Sequence, residues 1–342
     1  MDYFFAACEE VRHPELKGKA FVVGTASIAK KERGVVQTCN YEARKFGIHS
    51  AMATAQALKL KPDLVYLESD DSYYEETSAK LMRLLKECKM PLETVSIDEA
   101  AIDLGEMDYQ SGESLAKEIK KRIKKELGLP STIGVSTGKV YAKMECDVSK
   151  PDGLGVLKKD EIHDFLKDKK ISALLGVGRK TEEKLNKMGI EKIGQLAKMD
   201  PNVIVENFGE FGKELYLLAN GNDTSKVTES YSVLSIGRER TLERETRNLE
   251  EIDCMLKKLS KEVIEEAKRQ GMWFRGISVK ARYYDFTERI KNRKLSNYTD
   301  SLDVLYNTST KLIRELIGDK NVRKVGVRTY YLESRKGQRS IF

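Results

Sequence analysis

An adjacent pair of carboxylates, Asp98 and Glu99, lies inside an apolar, strand-like run at residues 95–103 (VSIDEAAID). Burying such charges is costly unless a cation or another partner offsets them. In a regular strand the two side chains would face opposite sides, so sharing one site requires a bend or a turn. Hard divalent cations favour carboxylate oxygens, and a metal site is therefore one interpretation. A surface hairpin turn with two solvated acids is the other, and these nine residues leave both open.

The size and composition of the chain limit the kind of protein that it can be. With 342 residues, of which 40% are hydrophobic and 34% charged, it is expected to be a soluble globular protein of about two to four domains. No apolar run approaches the length that spans a bilayer, and the N-terminus lacks a signal-peptide pattern. The cysteines are scattered without paired spacing, which favours a reducing cytosol over a disulfide framework or a zinc site.

The positive charge is concentrated at the C-terminal end. Residues 231–342 contain 25 Lys and Arg against 16 Asp and Glu, a net charge of +9, whereas residues 1–230 contain 36 against 38, a net charge of −2. A basic third beside a near-neutral body indicates a polyanionic partner, most simply nucleic acid. A generally lysine-rich proteome would give the same composition.

The spacing of apolar and turn-forming residues predicts mixed secondary structure. Helices are expected at residues 40–46, 72–89, 112–127, 249–270 and 302–317, with another from Val140 onward. Strands are expected at residues 20–24, 34–38, 131–136, 276–284 and 322–331. Short lysine-rich helical segments from about residue 160 predict a small all-helical domain. The last two strands alternate apolar with basic or polar residues, which predicts a sheet with one buried and one cationic face.

Five segments, in order along the chain, resemble motifs of the Y-family, lesion-bypass DNA polymerases of the DNA polymerase IV type. They are residues 2–10 (DYFFAACEE), 40–47 (NYEARKFG), 96–100 (SIDEA), 146–153 (CDVSKPDG) and 176–178 (GVG). Each alone is a weak signal, but together they span most of the chain.

The resemblance implies an α+β multidomain fold, the right-hand polymerase with palm, fingers, helical thumb and a basic α/β little finger. It assigns the palm to residues 1–10 and 68–158, the fingers to 11–67, the thumb with a helix-hairpin-helix to 159–229, a linker to 230–237, the little finger to 238–334 and a tail to 335–342.

The implied reaction is template-directed addition of a deoxynucleotide to a primer 3′-hydroxyl with two-metal-ion catalysis. The implied cofactor is Mg²⁺, two ions per site, with Mn²⁺ able to substitute. By match to the motif, Asp98 is a metal ligand, and Glu99 organises the primer hydroxyl and the metal that activates it. The expected partners are primer–template DNA and a dNTP, and the expected protein is a cytoplasmic monomer with no membrane association.

The resemblance also implies a set of nucleotide contacts, namely Phe4, Phe5, Thr38, Tyr41, Arg44 and Lys150. Tyr41 and Arg44 lie three residues apart and share a helix face, which would otherwise be an ordinary solvated face. Phe5 matches the ring that excludes a ribose 2′-hydroxyl, although plain core packing is the commoner role of phenylalanine. Gly34 and Val35 match the small residues above the templating base pair, which predicts low fidelity.

Two further regions are expected to hold the DNA backbone. Gly176 and Gly178 resemble a helix-hairpin-helix whose backbone N–H groups bind phosphate, although Leu175 stands where the family usually has proline. A simple helical hairpin is the alternative. In the little finger the candidate phosphate contacts are Arg238, Arg240, Arg282, Lys324 and Arg328.

Both ends of the chain depart from the family pattern. The family's first motif is Asp-x-Asp, and Asp2 matches its second aspartate while Met1 stands in the middle position. The first aspartate, which the resemblance implies is a principal metal ligand, is therefore missing before Met1. Either an internal methionine has been taken as the start of an active enzyme, or the chain is a catalytically impaired primer–template DNA-binding protein. The tail from Gln338 to Ile341 resembles the start of a sliding-clamp-binding peptide but stops before the aromatic pair, which favours a truncated tail over a competent clamp ligand.

Overall fold

A computed structural model describes residues 1–229 and 232–334, and the backbone divides into two units, Met1–Ser230 and Tyr231–Phe342. The tail from residue 335 onward, with its clamp-like motif, lies outside the described residues. The expected linker at 230–237 is shorter than predicted, because Ser235 already begins a strand. No helix in either described range is both long and apolar enough to cross a membrane.

The first unit is built from short strands and helices. Its helices are α1 (Phe4–Arg12), α2 (Tyr41–Arg44), α3 (Thr54–Leu60), α4 (Asp71–Lys86), α5 (Tyr109–Leu127), α6 (Lys139–Ser149), α7 (Ile162–Lys167), α8 (Arg179–Lys187), α9 (Ile193–Ala197) and α10 (Pro201–Ala219). Its strands are β1 (Phe21–Gly24), β2 (Val36–Cys39), β3 (Val65–Glu68), β4 (Leu92–Thr94), β5 (Ala100–Ile102), β6 (Ile133–Val135) and β7 (Leu154–Val156). Short 3₁₀ turns occupy Pro14–Leu16, Ile28–Arg33, Lys159–Glu161 and Ile171–Ala173.

Three small sheets organise the N-terminal part of this unit. Strand β1 is buried along its whole length and pairs antiparallel with β2 and parallel with β3. Strands β4 and β5 form an antiparallel hairpin, and β6 pairs parallel with β7. Helices α1, α4 and α5 share a core with these strands, centred on the buried side chains of Phe21, Tyr74 and Leu81.

The C-terminal part of the first unit is all-helical, as predicted. Helices α7 to α10 pack with α6 around a core that includes Leu166, Leu185 and Ile193. Helix α10 is kinked at Gly209, which has a φ of +63°. The apolar residues of these short helices meet in one cluster because each helix alone buries too little surface to be stable.

The second unit contains a four-stranded antiparallel sheet and two helices. Its elements are β8 (Ser235–Thr246), α11 (Leu249–Arg269), β9 (Met272–Tyr283), β10 (Glu288–Thr299), α12 (Leu302–Leu316) and β11 (Val322–Ser334). The strand order is β10-β9-β11-β8. Both helices pack on one face of the sheet, where Leu256, Ile277, Val325 and Val327 are among the buried residues.

The sequence pattern predicts the two central strands of this sheet but misses the outer strands β8 and β10. Strand β10 is exposed over nearly all of its length. In β8, four of the six residues from Arg238 to Glu243 are glutamate or arginine. Edge strands are often charged, since charges discourage pairing with another chain. Such strands lack the apolar alternation that identifies a strand in sequence.

Candidate active site

The carboxylates Asp98 and Glu99 lie in a tight turn, residues 95–99, that joins β4 to β5 and is called the acidic turn below. The backbone N–H groups of Val95 and Ser96 both donate to the Glu99 carbonyl, at 2.9 and 3.1 Å. The Ser96 hydroxyl donates to Asp98 Oδ1 at 3.0 Å. The bend that the sequence requires at this pair is therefore present, in a turn closed by its own hydrogen bonds.

Cations approach both carboxylates of the acidic turn. The Met1 ammonium donates to the Asp98 carbonyl oxygen at 2.6 Å and lies 3.9 Å from Asp98 Oδ2. Lys143 Nζ lies 2.5 Å from Glu99 Oε1. The two acidic side chains keep 27% and 37% of their surface exposed. They are therefore neither fully solvated nor buried, and they remain accessible from solvent.

Asp2, in contrast, is a buried carboxylate whose hydrogen bonds are structural. It is only 1% exposed, and both of its carboxylate oxygens accept hydrogen bonds from Thr132 Oγ1 at 2.9 Å. Its Oδ2 also accepts from the backbone N–H of Asp152 at 2.7 Å. This carboxylate ties the start of α1 to β6 and to the turn that follows α6.

Helix α6 supplies a row of alternating charges, here called the α6 charge network: Lys143, Asp147 and Lys150. Asp147 Oδ1 lies 3.1 Å from Lys143 Nζ and 2.8 Å from Lys150 Nζ. Burial alone would lower the pKa of Lys143, but the hydrogen bonds and charges of Glu99 and Asp147 raise it above its ordinary value. Burial would raise the pKa of Asp147, and the two lysines lower it instead. Lys143 and Asp147 are therefore both charged at neutral pH, and Lys143 joins the network to the acidic turn.

The predicted triphosphate residues lie on neighbouring elements. Asn40 caps α2 by accepting from the Ala43 N–H at 3.1 Å. The Arg44 guanidinium lies 4.8 Å from the centre of the Tyr41 ring, which confirms that these two share a face. Burial raises the pKa of Tyr41, and the positive charges of Arg44 and Lys150 act against it. Tyr41 thus lies within the field of both cations, although they come from helices about a hundred residues apart.

Phe4 and Phe5 have different environments at the start of α1. The Phe5 ring is half-buried and stacks on Tyr74, with ring centres 4.6 Å apart and planes inclined by 23°. Tyr74 is itself fixed, since its hydroxyl donates to Glu9 Oε1 at 2.6 Å. The Phe4 side chain is 4% exposed and belongs to the core. The Phe4 ring therefore packs in the core, and a nucleotide contact by Phe4 stays a prediction.

Three predicted residues of the β2 region remain candidates. Thr38 lies on β2 and is buried, whereas Val35 is 41% exposed just before that strand. Gly34 is packed closely, because a Cβ there would lie 2.9 Å from the Ala26 Cβ. An exposed small side chain at Val35 agrees with the predicted position above a base pair, and this role stays a prediction.

The comparisons with known proteins cover this whole arrangement. Residues 1–147 match the model of the impB/mucB/samB family, residues 233–341 match the C-terminal domain of that family, and residues 172–223 match a thumb domain described as that of DNA polymerase-iota. A DNA polymerase IV of Methanoculleus marisnigri is 35% identical over 97% of this chain and 93% of its own length. One of Lactococcus lactis subsp. cremoris is 37% identical over 96% and 91%.

Solved structures agree. A Y-family DNA polymerase chimera of Dbh and Dpo4 has a TM-score of 0.90 at 34% identity and covers 98% of both chains. The insertion ternary complex of Dbh DNA polymerase has a TM-score of 0.68 at 33% identity, again over 98% of both chains. The chain belongs to the Y-family DNA polymerases. It is therefore a DNA-directed DNA polymerase.

Y-family polymerases depend on divalent metal, and the acidic turn fits this requirement chemically. Mg²⁺ is commonly held by one or two protein carboxylates, with substrate phosphates and water completing its coordination. Asp98 and Glu99 supply such oxygen donors with part of their surface open. Within residues 1–229 and 232–334, no cluster of three or more His, Cys, Asp or Glu side chains is arranged to hold a metal ion.

In the thumb of this Y-family polymerase, the two glycines lie between the 3₁₀ turn Ile171–Ala173 and α8, and the helix-hairpin-helix stays a prediction. Gly176 has a φ of +95°, and Gly178 precedes α8 with open space around it. Leu175, at the position where proline was expected, is half exposed. The glycine turn agrees with a phosphate contact through backbone N–H groups, which stays a prediction.

In the second unit, the five predicted basic residues do not share one face. Arg282 lies beside Lys324 across β9 and β11, and Arg328 lies two pairs along the same face. We call this surface, with Lys280 added, the cationic face. Arg238 and Arg240 pair instead with Val327 and Val325, which are buried on the helix side.

Arg238 and Arg240 therefore lie on the opposite face of the sheet from Arg282, Lys324 and Arg328, and a phosphate contact by either of them stays a prediction. Side chains alternate along a strand, so residues 237, 239 and 241 of β8 share the cationic face while residues 238 and 240 point the other way. Arg238 pairs with Glu266 at 3.5 Å and Arg240 with Glu262 at 3.2 Å, both on α11. Had β8 been recognised as a strand, the alternation of side chains along it would have placed Arg238 and Arg240 on the face opposite to residues 237, 239 and 241.

Sequence reasoning missed three charged residues of these sites: Lys143, Asp147 and Glu239. The four-residue spacing of Lys143 and Asp147 predicts an ion pair on a helix. The contact of Lys143 with Glu99 spans 44 residues and has no local signal. Glu239 lies on an unpredicted strand among basic residues.

Proposed function

We propose that this Y-family polymerase is a translesion enzyme that adds dNMP to a primer 3′-hydroxyl with two-metal-ion catalysis and low fidelity. The observation that carries the proposal is the acidic turn, whose two accessible carboxylates lie beside the α6 charge network. A carboxylate pair next to lysines can hold cations on one side and substrate phosphates on the other. That combination suits phosphoryl transfer, in which charge spreads over phosphate oxygens.

Asp98 and Glu99 are the residues that would hold divalent ions, Mg²⁺ or in its place Mn²⁺. The ions would supply neutralisation of the charge that develops on the attacking and leaving oxygens. In the reaction, the primer 3′-oxygen bonds to the α-phosphorus of the dNTP, the bond to the β-phosphate bridge breaks, and pyrophosphate leaves. Glu99 would also orient the primer hydroxyl, and Lys143 would hold the Glu99 carboxylate in place.

The nucleotide would be bound by the residues around Tyr41. Arg44 can direct two parallel N–H groups at phosphate oxygens, and Lys150 adds a point charge. The flat, supported ring of Phe5 would lie against the sugar and leave no room for a 2′-hydroxyl. Gly34 and Val35 would cover the templating base pair with little bulk, and weak shape checking there would give the low fidelity.

Primer–template DNA would be held by backbone and charge rather than by base readout. The glycine turn at Gly176 and Gly178 and the cationic face of the second unit are the candidate phosphate contacts. Among the structural relatives, Dbh polymerase is described in an insertion ternary complex and in a post-insertion binary complex. A monomeric state and a cytoplasmic location stay predictions.

Primer extension tests the proposal. The wild-type chain is expected to extend a labelled primer with dNTPs and Mg²⁺, to stop when the metal is chelated, and to copy the template base. Asp98→Asn should abolish extension while leaving DNA affinity intact. Binding without extension by the wild-type chain would support the alternative of an impaired DNA-binding protein, which the polymerase relatives do not support.

A further inference from the structure

The cationic face of the second unit contains an acid at its centre. Glu239 on β8 pairs in register with Gly326 on β11, and Gly326 pairs in turn with Lys280 on β9. The three residues therefore form one row across the sheet, on the face turned away from the helices. Lys324, two residues before Gly326, projects from the same face.

Gly326 makes room for the side chain of Glu239. A Cβ on Gly326 would lie 2.7 Å from the Glu239 Cγ, closer than side chains tolerate. Because the central position of the row has no side chain, Glu239 extends across it toward the next strand. The glycine thus explains how a residue of an edge strand contacts a lysine two strands away.

Glu239 uses each of its carboxylate oxygens for a different lysine. Its Oε1 lies 2.5 Å from Lys280 Nζ, and its Oε2 lies 2.7 Å from Lys324 Nζ. Burial would raise the pKa of Glu239, but the two lysines lower it below its ordinary value. The acid is consequently ionised at neutral pH, and its single negative charge offsets part of the positive charge of the two lysines it contacts.

The other two cations of this face, Arg282 and Arg328, differ in whether they have an ion-pair partner. Arg282 contacts Glu288 at 2.6 Å. Arg328 is exposed, and in the part of the chain that the structure describes it has no ion-pair partner. Glu288 also lies 3.7 Å from Lys280, so Glu239 and Glu288 together decide how much of the positive charge on this face is available to a phosphate backbone, and Glu239 is the acid that contacts both lysines.

We propose that Glu239 is an internal competitor of DNA phosphate, which occupies Lys280 and Lys324 and so holds the DNA affinity of the cationic face below its maximum. The inference rests on the proposed DNA contact of this face. A phosphate that takes either lysine must displace a carboxylate that remains beside the polyanion, and like charges repel. Weaker binding would let the duplex move across the face between additions.

The test is the DNA affinity of Glu239→Gln in the full chain. This substitution removes the charge and keeps the side-chain shape, and Glu262→Gln is the matched control because it removes the same charge from the opposite face. A fluorescent primer–template duplex is titrated without dNTP at several salt concentrations. Glu239→Gln should bind at least about fivefold more tightly at low salt, and its salt dependence should steepen by about one to two units of log K per log salt.

The control Glu262→Gln should change the affinity by less than about twofold, because its charge lies on the helix side of the sheet. The triple variant Glu239→Gln, Lys280→Gln, Lys324→Gln should lose the gain, since no lysine is left to release. Circular dichroism and the unfolding temperature establish that each variant is folded.

Weaker binding by Glu239→Gln would overturn the inference, because it would show that the acid positions the lysines for DNA. A gain equal to that of Glu262→Gln would also overturn it, as an effect of net charge alone. Failure of the wild-type chain to bind the duplex would instead refute the proposed DNA contact itself. The two failures are therefore distinguishable.

Discussion

The acidic turn of the first unit and the cationic face of the second have opposite charges but a common arrangement. At the acidic turn, Lys143 pairs with Glu99. On the cationic face, Glu239 pairs with Lys280 and Lys324. They differ in the number of side chains over which the charge is distributed. The acidic turn offers two carboxylates at one point, whereas the cationic face distributes its charge over several strands. A single substitution should therefore be severe in the first and mild in the second.

The largest effect is expected from Glu99→Gln, which keeps the size of the side chain and removes its charge. Nucleotide incorporation in single-turnover primer extension should fall by at least about 10²-fold, because this carboxylate acts where charge develops. DNA affinity should not change.

Glu93→Gln is the matched control, since Glu93 is a buried acid of the same hairpin, bound to Lys139 at 2.8 Å. Its loss should lower stability by about 1–3 kcal/mol, measured by denaturant unfolding, because the partly buried Lys139 loses its charged partner. Equal loss of incorporation in both variants would show that the acidic turn acts only through folding.

The next effect concerns Lys143, which we expect to be a positioning residue for Glu99. Lys143→Met should lower the rate of incorporation by about 10- to 100-fold, as is usual when the group that orients a metal ligand is removed. The affinity for primer–template DNA should remain unchanged, because Lys143 contacts Glu99 of the acidic turn and lies outside the proposed DNA-binding surfaces. Lys143→Arg retains the charge and should restore much of the rate. Failure of arginine to restore any of it would argue against a role in positioning.

Selectivity for the sugar should depend on one ring of the palm. Phe5→Ala should raise incorporation of ribonucleotides relative to deoxynucleotides by about 10- to 100-fold, since it removes the steric block. The ratio of kcat/KM values for matched dNTP and rNTP measures this. Phe4→Leu, in the adjacent core position, should lower stability without altering the ratio. An unchanged ratio in Phe5→Ala would remove the assignment.

The smallest effect is expected on the cationic face, where the charge is shared. Arg328→Gln should weaken duplex binding by a few-fold and reduce the salt dependence by about 0.9 units, the value for one phosphate contact. Arg240→Gln, which removes the same charge from the helix side, should leave both unchanged. A larger loss of duplex affinity in Arg240→Gln than in Arg328→Gln would show that DNA binds the helix side of the sheet and not the cationic face.

The local elements of this protein were largely predictable, and the reasons are visible in individual residues. Helices α4, α5, α11 and α12 were predicted because their apolar residues repeat with helical spacing. The acidic turn was predictable because Asp98 and Glu99 cannot share one site in a straight strand. Strands β8 and β10 were not, because charged edge strands carry no apolar alternation. For that reason the sequence did not show that Arg238 and Arg240 lie on the opposite face from Arg282, Lys324 and Arg328.

The sequence by itself determined the family, the acidic pair and the basic third, since each depends on residue types in consecutive positions. Only the tertiary structure decided which charges meet. Lys143 contacts Glu99 across 44 residues, and Glu239 contacts Lys324 across 85. Such pairs depend on strand register and helix packing, which bring distant residues within hydrogen-bonding distance. The same packing separates neighbours such as Phe4 and Phe5, one of which enters the core while the other lies at its edge.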